Sequence, residues 1–268
     1  MHNYLIFIQI LMFSHPVFSY NPDEMAQLSS TKICINCNLN NSDLSGKILI
    51  NSNLLNSSIS NSTLNDAIFR YADLENVRFV KSELINIDFT NANLKNTNFR
   101  LSDCTNSDFS STNLDNADFS GADLNGAIFE GAQLRNVNFR NANLEATFFA
   151  SADLTQAQLN QAALNNVNFS YAILIKSNFS AANLNGANLA NTDARGSDFS
   201  NAEFVNTDFT NTNLSNASLY GADLTGADLR FANLTNTDLT NVNYCNTQMP
   251  WGLINDDCDE YEPTDLIE

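Results

Sequence analysis

A large apolar side chain falls at every fifth position of this chain for about two hundred residues, without a slip in register. Steps of five from Leu39 to Tyr244 visit 42 positions, of which 38 are Leu or Phe. The exceptions are Ile59, Cys104, Ala194 and Tyr244. The residue two before each is small, usually Ala, Ser or Thr. The residue just before is usually Asp or Asn, as in Ala122-Asp123-Leu124 and Ala182-Asn183-Leu184. Period five suits neither common element. A helix turns about 100° per residue, so steps of five drift round the cylinder, and a strand needs period two. A fixed repeat that fits neither defines a solenoid, in which each repeat buries its apolar residue against its neighbours. Abundant Asn, Ser, Thr and Asp would also be consistent with a disordered tract. Disorder gives no reason to hold Phe in phase, yet of the 16 Phe beyond residue 19, 14 lie on the column. Only Phe148 and Phe231 do not.

The repeated A-(D/N)-L-x-x unit resembles the pentapeptide-repeat family over residues 34–246. The resemblance implies an all-β solenoid, a right-handed quadrilateral β-helix with four pentapeptides per coil. On that fold the chain makes about ten coils and, at about 4.8 Å per coil, a rod about 50 Å long. Phe occupies the positions ending in 9 from Phe69 to Phe149, and Leu mostly those ending in 4. Four faces per coil then put Phe ladders on two opposite faces. Positions two after each large residue are rich in Asn and Gly (Asn86, Asn96, Gly121, Gly126, Gly131), types that accept the positive φ of a type II turn. Ala194 and Phe204 break the column in opposite senses. Ten residues apart, on opposite walls of one coil, they read as a single volume-conserving swap.

Four segments are expected: a signal peptide at 1–19, an N-terminal cap with a short helix at 20–33, the repeats at 34–246, and a C-terminal cap with an acidic tail at 247–268. Leu5 to Phe13 is an apolar run too short to span a membrane, followed by Pro16 and a small-residue cleavage pattern ending at Ser19. This predicts an exported protein of the periplasm, thylakoid lumen or extracellular space. Asn21-Pro22-Asp23-Glu24 has the form of a helix start. Such a helix would close the first coil, since an open solenoid end exposes core and unpaired backbone. Trp251, the only Trp, is expected to cover the last coil. Cys34 with Cys37, and Cys245 with Cys258, stand at the two ends and suit disulfide staples in an exported protein. The flanks Thr31-Lys32-Ile33-Cys34 and Tyr244-Cys245 through Cys258 resemble those of exported members of the family. Zinc or redox work stays an alternative for Cys34 and Cys37. Cys104 occupies a core position.

Both histidines, His2 and His15, lie in the leader, so the rest of the chain lacks the commonest general base and metal ligand. We expect no enzyme activity, no catalytic residue, no cofactor and no metal. The formal charge of −18 disfavours nucleic acid and anionic surfaces, and no membrane insertion is expected. A structural or protein-interaction rod is the leading reading, its partner and oligomeric state open. Some cytosolic members of the family resemble duplex DNA and occupy type II topoisomerases, so an acidic DNA mimic is the alternative. A calcium- or surface-binding rod is the second. Ile48, Ile68, Ile128 and Phe148 share one outward column, and Tyr171, Ile173 and Ile175 cluster at a coil edge. Contiguous apolar surface marks contact sites, so Ile128, Phe148, Tyr171, Ile173 and Ile175 are the candidate interface.

Overall fold

The computed structural model describes residues 20–255 and 258. The leader and most of the acidic tail lie outside the described residues, and with them the expected cleavage after Ser19. The described chain opens with one helix, α1, Pro22–Thr31. Asn21 caps it by accepting the Asp23 N–H at 3.0 Å, Pro22 sits in the first turn, and Asp23 and Glu24 put negative charge at its N-terminus, where the helix dipole favours it. Lys32 ends it in the left-handed region at φ 58°. Leu28 is buried against the first coil. Glu24 reaches further, its Oε2 accepting the Asn38 N–H at 2.7 Å. That N–H lies on the open edge of the first coil, and the carboxylate takes the place of the coil that is missing.

Beyond α1 the chain is a β-helix. Parallel bridges join residues twenty apart in unbroken succession, from Ile33↔Asn53 to Asp228↔Gln248. Twenty residues per coil is four pentapeptides, one on each face. A backbone ledger explains the repeat letters. In the unit Asp103 to Ser107, Asp103 N–H donates to Ser82 O, Cys104 N–H to Asp123 O, Asn106 N–H to Asn125 O and Ser107 N–H back to Cys104 O. The fifth N–H, of Thr105, goes to the side chain of Asp103 at 3.0 Å. An Asp or Asn before the large residue therefore supplies the one acceptor the ladder lacks, and buried or half-buried backbone donors need such a partner. The corner residue two after the large one has positive φ throughout, as at Asn86 (56°) and Gly126 (67°), and the turn bond from the third residue back to the large one closes the corner.

The every-fifth residues fill the core and are fully buried over most of the rod. Phe rings stack on opposite walls: Phe99 on Phe119 at 4.5 Å, Phe109 on Phe129 at 4.7 Å and Phe129 on Phe149 at 4.8 Å. Rings of the two ladders meet edge-on across the axis, as Phe119 with Phe129 at 5.9 Å. Such ring pairs stabilise beyond their buried area by about 0.5–1.5 kcal/mol each. Several of the small inward residues are Ser or Thr whose hydroxyls donate to carbonyls 23 residues back, as Ser107 Oγ to Leu84 O at 2.6 Å. Phe204 is fully buried, its ring edge-on to Phe199 at 5.4 Å and Phe209 at 4.9 Å. Ala194 is also fully buried and keeps its ladder bond to Asn213 O.

The far end closes differently from the expectation placed on Trp251. Strands β1, Thr247–Met249, and β2, Gly252–Ile254, form an antiparallel hairpin with Met249 opposite Gly252. Met249 is the residue that turns into the core, fully buried, whereas Trp251 sits in the hairpin turn with 65% of its surface exposed. A two-residue turn projects its side chains away from the strands it joins, so the position that would cover the coil falls to the strand residue before it. Leu234 and Leu239 are only partly covered.

Candidate functional site

The four end cysteines form two disulfides, Cys34–Cys37 and Cys245–Cys258. The first lies within the opening repeats, both residues buried. The second ties the chain beyond β2 back to the final coil. Cys104 is the free cysteine among the described residues, fully buried beside Ser102 Oγ at 3.3 Å. Burial away from charge-stabilising water pushes its thiol up to about 12, far from the thiolate that nucleophilic or redox work requires. Native protein should therefore show no cysteine reactive toward iodoacetamide. Reduction frees four end thiols, of which Cys245 and Cys258 are the accessible pair, and Cys104 reacts only on unfolding. Mass-spectrometric detection of Cys104 alkylation under native conditions would contradict this.

The candidate interface residues fall on two adjoining faces. Ile48 pairs with Ile68 and Ile128 with Phe148, but Asp88 and Asp108 stand between the two pairs in the same column. The sequence column is thus two apolar patches separated by acids, and the mid-rod one holds Ile128 and Phe148. Phe148 is 48% exposed and Ile128 half-buried. Tyr171 stands at the next corner, one coil up, at φ 61° and 65% exposed. Ile173 follows it round onto the adjacent face, exposed, and Ile175 is half-buried beyond. The neighbouring residues Ala150, Ser151 and Ser170 are small, with the Ser151 N–H donating to Ser170 O.

Charge is unevenly spread. The column Asp43, Thr63, Glu83, Asp103, Asp123, Asn143, Ala163, Asn183, Glu203 and Asp223 runs along a face whose outward positions include no Lys or Arg. The ion pairs of the described residues lie on the other faces: Arg70–Asp88, Arg100–Asp118, Arg135 with Asp115 and Asp153, Arg195–Asp193 and Arg230–Asp228. The carboxyl of Asp228 is held below its usual range by the Arg230 side chain it accepts from. Burial works against the Asp88 charge, but hydrogen bonds from Thr90 and Arg70 outweigh it and lower its pKa. Among the described residues no group of three or more His, Cys, Asp or Glu is placed to hold a metal ion, and no helix is long and apolar enough to cross a membrane.

Comparison with known proteins agrees with this geometry. Residues 72–149 match the family described as pentapeptide repeat region. Residues 33–70, 132–170, 164–201 and 202–241 match pentapeptide repeats (8 copies). No curated protein matches the sequence. Among solved structures, the chain is similar to HetL, a pentapeptide repeat protein involved in heterocyst differentiation regulation from the cyanobacterium Nostoc sp. strain PCC 7120. It is 25% identical, covering 86% of this chain and 96% of that one, with a TM-score of 0.49. Full-length QnrB1, a plasmid-mediated fluoroquinolone resistance protein, is 21% identical over 77% of this chain and 94% of its own, with a TM-score of 0.42. A pentapeptide repeat protein of the Arabidopsis thaliana thylakoid lumen is 37% identical over 37% of this chain and 63% of its own, with a TM-score of 0.21. On the match of its repeats, residue range by residue range, this chain belongs to the pentapeptide repeat family.

Proposed function

We infer that the protein is an exported, non-enzymatic rod that presents a fixed surface to a protein partner. The observation that carries this reading is the pair of disulfides at the two ends of the ladder. Disulfides persist in oxidising compartments and are rare where glutathione keeps thiols reduced, so the periplasm, thylakoid lumen or extracellular space is its setting. The leader at 1–19 supplies the export, the N-terminal segment 20–33 with its helix α1 and the segment 247–268 cap the rod, and the repeats of 34–246 wind as a right-handed β-helix of about ten coils at about 4.8 Å each. The rod's regular backbone holds every outward side chain in register, which is what a binding surface needs and what a catalytic cleft does not use. Ile128, Phe148, Tyr171, Ile173 and Ile175 form the contact region. Fractionation of host cells with intact-mass analysis tests this. The expected species begins at Tyr20, carries both disulfides and partitions outside the cytosol. Protein that begins at Met1 with reduced cysteines in the cytosol would end the exported reading.

One observation favours a second reading. The face from Asp43 to Asp223 carries no base at its outward positions and six acids among the ten residues of its column, and an acidic DNA mimic acting on a type II topoisomerase would use such a wall. Cytosolic location together with inhibition of supercoiling would establish it. The same wall in an exported protein serves a basic protein instead.

A further inference from the structure

Residues 146–192 contain only two charged side chains, Asp153 and Lys176. At the 16% charged residues of the whole chain, a stretch of this length would hold about seven. Wound at twenty residues per coil, it is a neutral belt a little over two coils deep on an otherwise strongly acidic rod. Between Leu101 and Tyr220 the exposed large apolar residues are Phe148, Tyr171 and Ile173, and all three lie on the belt. Ile128 borders it on the coil below.

These apolar residues are not explained by folding. Each of Ile128, Phe148 and Ile173 stands where the repeat places an Asp or Asn whose oxygen accepts the N–H two residues on, as Asp103 does for Thr105. At the apolar positions that acceptor is missing, and the N–H groups of Glu130, Ala150 and Ile175 have no acceptor among the described residues. These three units forgo the hydrogen bond that units with Asp or Asn at this position make, and Phe148 and Ile173 expose apolar surface to water in its place.

We propose that the belt is the docking site for a protein whose contact surface has apolar pockets bordered by Lys and Arg. The inference rests on the reading of the chain as an interaction rod, and names where and by what chemistry the partner binds. Two arguments fix that chemistry. Phe148 and Tyr171 are exposed aromatic residues with the small neighbours Ala150, Ser151 and Ser170, so the complementary surface offers apolar pockets, and aromatic anchors of this kind dominate binding. A little over two coils at about 4.8 Å and two faces of about 10 Å give on the order of 200 Å² of neutral surface. A stable interface needs about 800 Å² per partner. The contact must therefore extend onto the rim, where Asp108 and Glu130 below and Asp208 above carry no ion pair among the described residues. A partner with an acidic or neutral border would meet those carboxylates uncompensated.

The test places a photo-crosslinking amino acid in the full-length oxidised protein at Phe148 or Tyr171, with Tyr71 and Tyr220 as exposed controls. Crosslinking in host extracts is followed by purification of the captured protein and measurement of its Kd. The expected result is capture from 148 and 171 but not from 71 or 220. The paired substitutions Phe148→Ser and Tyr171→Ser should weaken binding at least 50-fold, and Asp108→Asn with Glu130→Gln and Asp208→Asn should slow association about tenfold, with affinity falling as salt rises. Circular dichroism melts within 2–3 °C of the parent (roughly what surface changes produce) show that the variants fold. Capture only from 71 or 220 overturns the belt as the site but leaves the interaction rod standing. Capture from no position overturns both. A captured partner whose Kd ignores the Phe148→Ser and Tyr171→Ser pair, or whose affinity is independent of salt and of the rim carboxylates, overturns the proposed chemistry.

Discussion

Replacement of Phe129 by alanine is expected to lower the unfolding free energy by about 3–5 kcal/mol, the range for removing a buried ring from a packed core. Phe129 is fully buried and its ring lies 4.7 Å from Phe109 and 4.8 Å from Phe149, with edge contacts to Phe119 and Phe139 at 5.9 and 5.8 Å. One substitution therefore severs a ladder and unseats the opposite one. The backbone on either side is pinned by its coil-to-coil bonds, so the walls cannot collapse into the hole. Solenoids divide their stability among neighbouring coils, and the loss should appear locally before it appears globally. Hydrogen exchange should accelerate first for amides between residues 109 and 149. Denaturant melts showing a loss below about 1 kcal/mol, or exchange that accelerates uniformly, would contradict the ladder as the principal core.

Phe204→Leu is expected to destabilise by about 1–3 kcal/mol, and Ala194→Leu alone to destabilise by a similar amount through overpacking. Together they should cost much less than either sum. Phe204 stands ten residues from Ala194, half of a twenty-residue coil away, and its buried ring packs edge-on to Phe199 and Phe209. If the two departures are one volume-conserving swap, a leucine at 194 should crowd that ring and a leucine at 204 should leave space unfilled. A double-mutant cycle should give a coupling of at least about 1 kcal/mol. Additive losses would mean that the two departures from the column are unrelated.

The core was legible because its signal is redundant. Each of Leu84, Phe89 and Leu94 says the same thing at the same spacing, and the parallel bridges between residues twenty apart follow from it. Features that occur once were not legible. Trp251 looked like a lid because it is large and terminal, but whether a terminal side chain turns in or out depends on a hairpin whose register one sequence does not show. The Asp and Asn before each large residue were visible as letters, yet their role as acceptor for the N–H two residues on required the geometry of the turn. That role is what makes Ile128, Phe148 and Ile173 informative. In sequence they were outward apolar residues of a candidate interface; against the hydrogen-bond ledger they are positions without the acceptor that Asp or Asn supplies.

The twenty-residue coil makes the chain behave like a screw thread with indexed positions. Gain or loss of a whole coil slides everything beyond it along the axis by about 4.8 Å and leaves its bearing unchanged. Gain or loss of one pentapeptide turns everything beyond it by a quarter revolution. Duplication and deletion during evolution can therefore set the axial distance and the azimuth of Phe148 and Tyr171 relative to α1 independently, without altering a single contact within either surface.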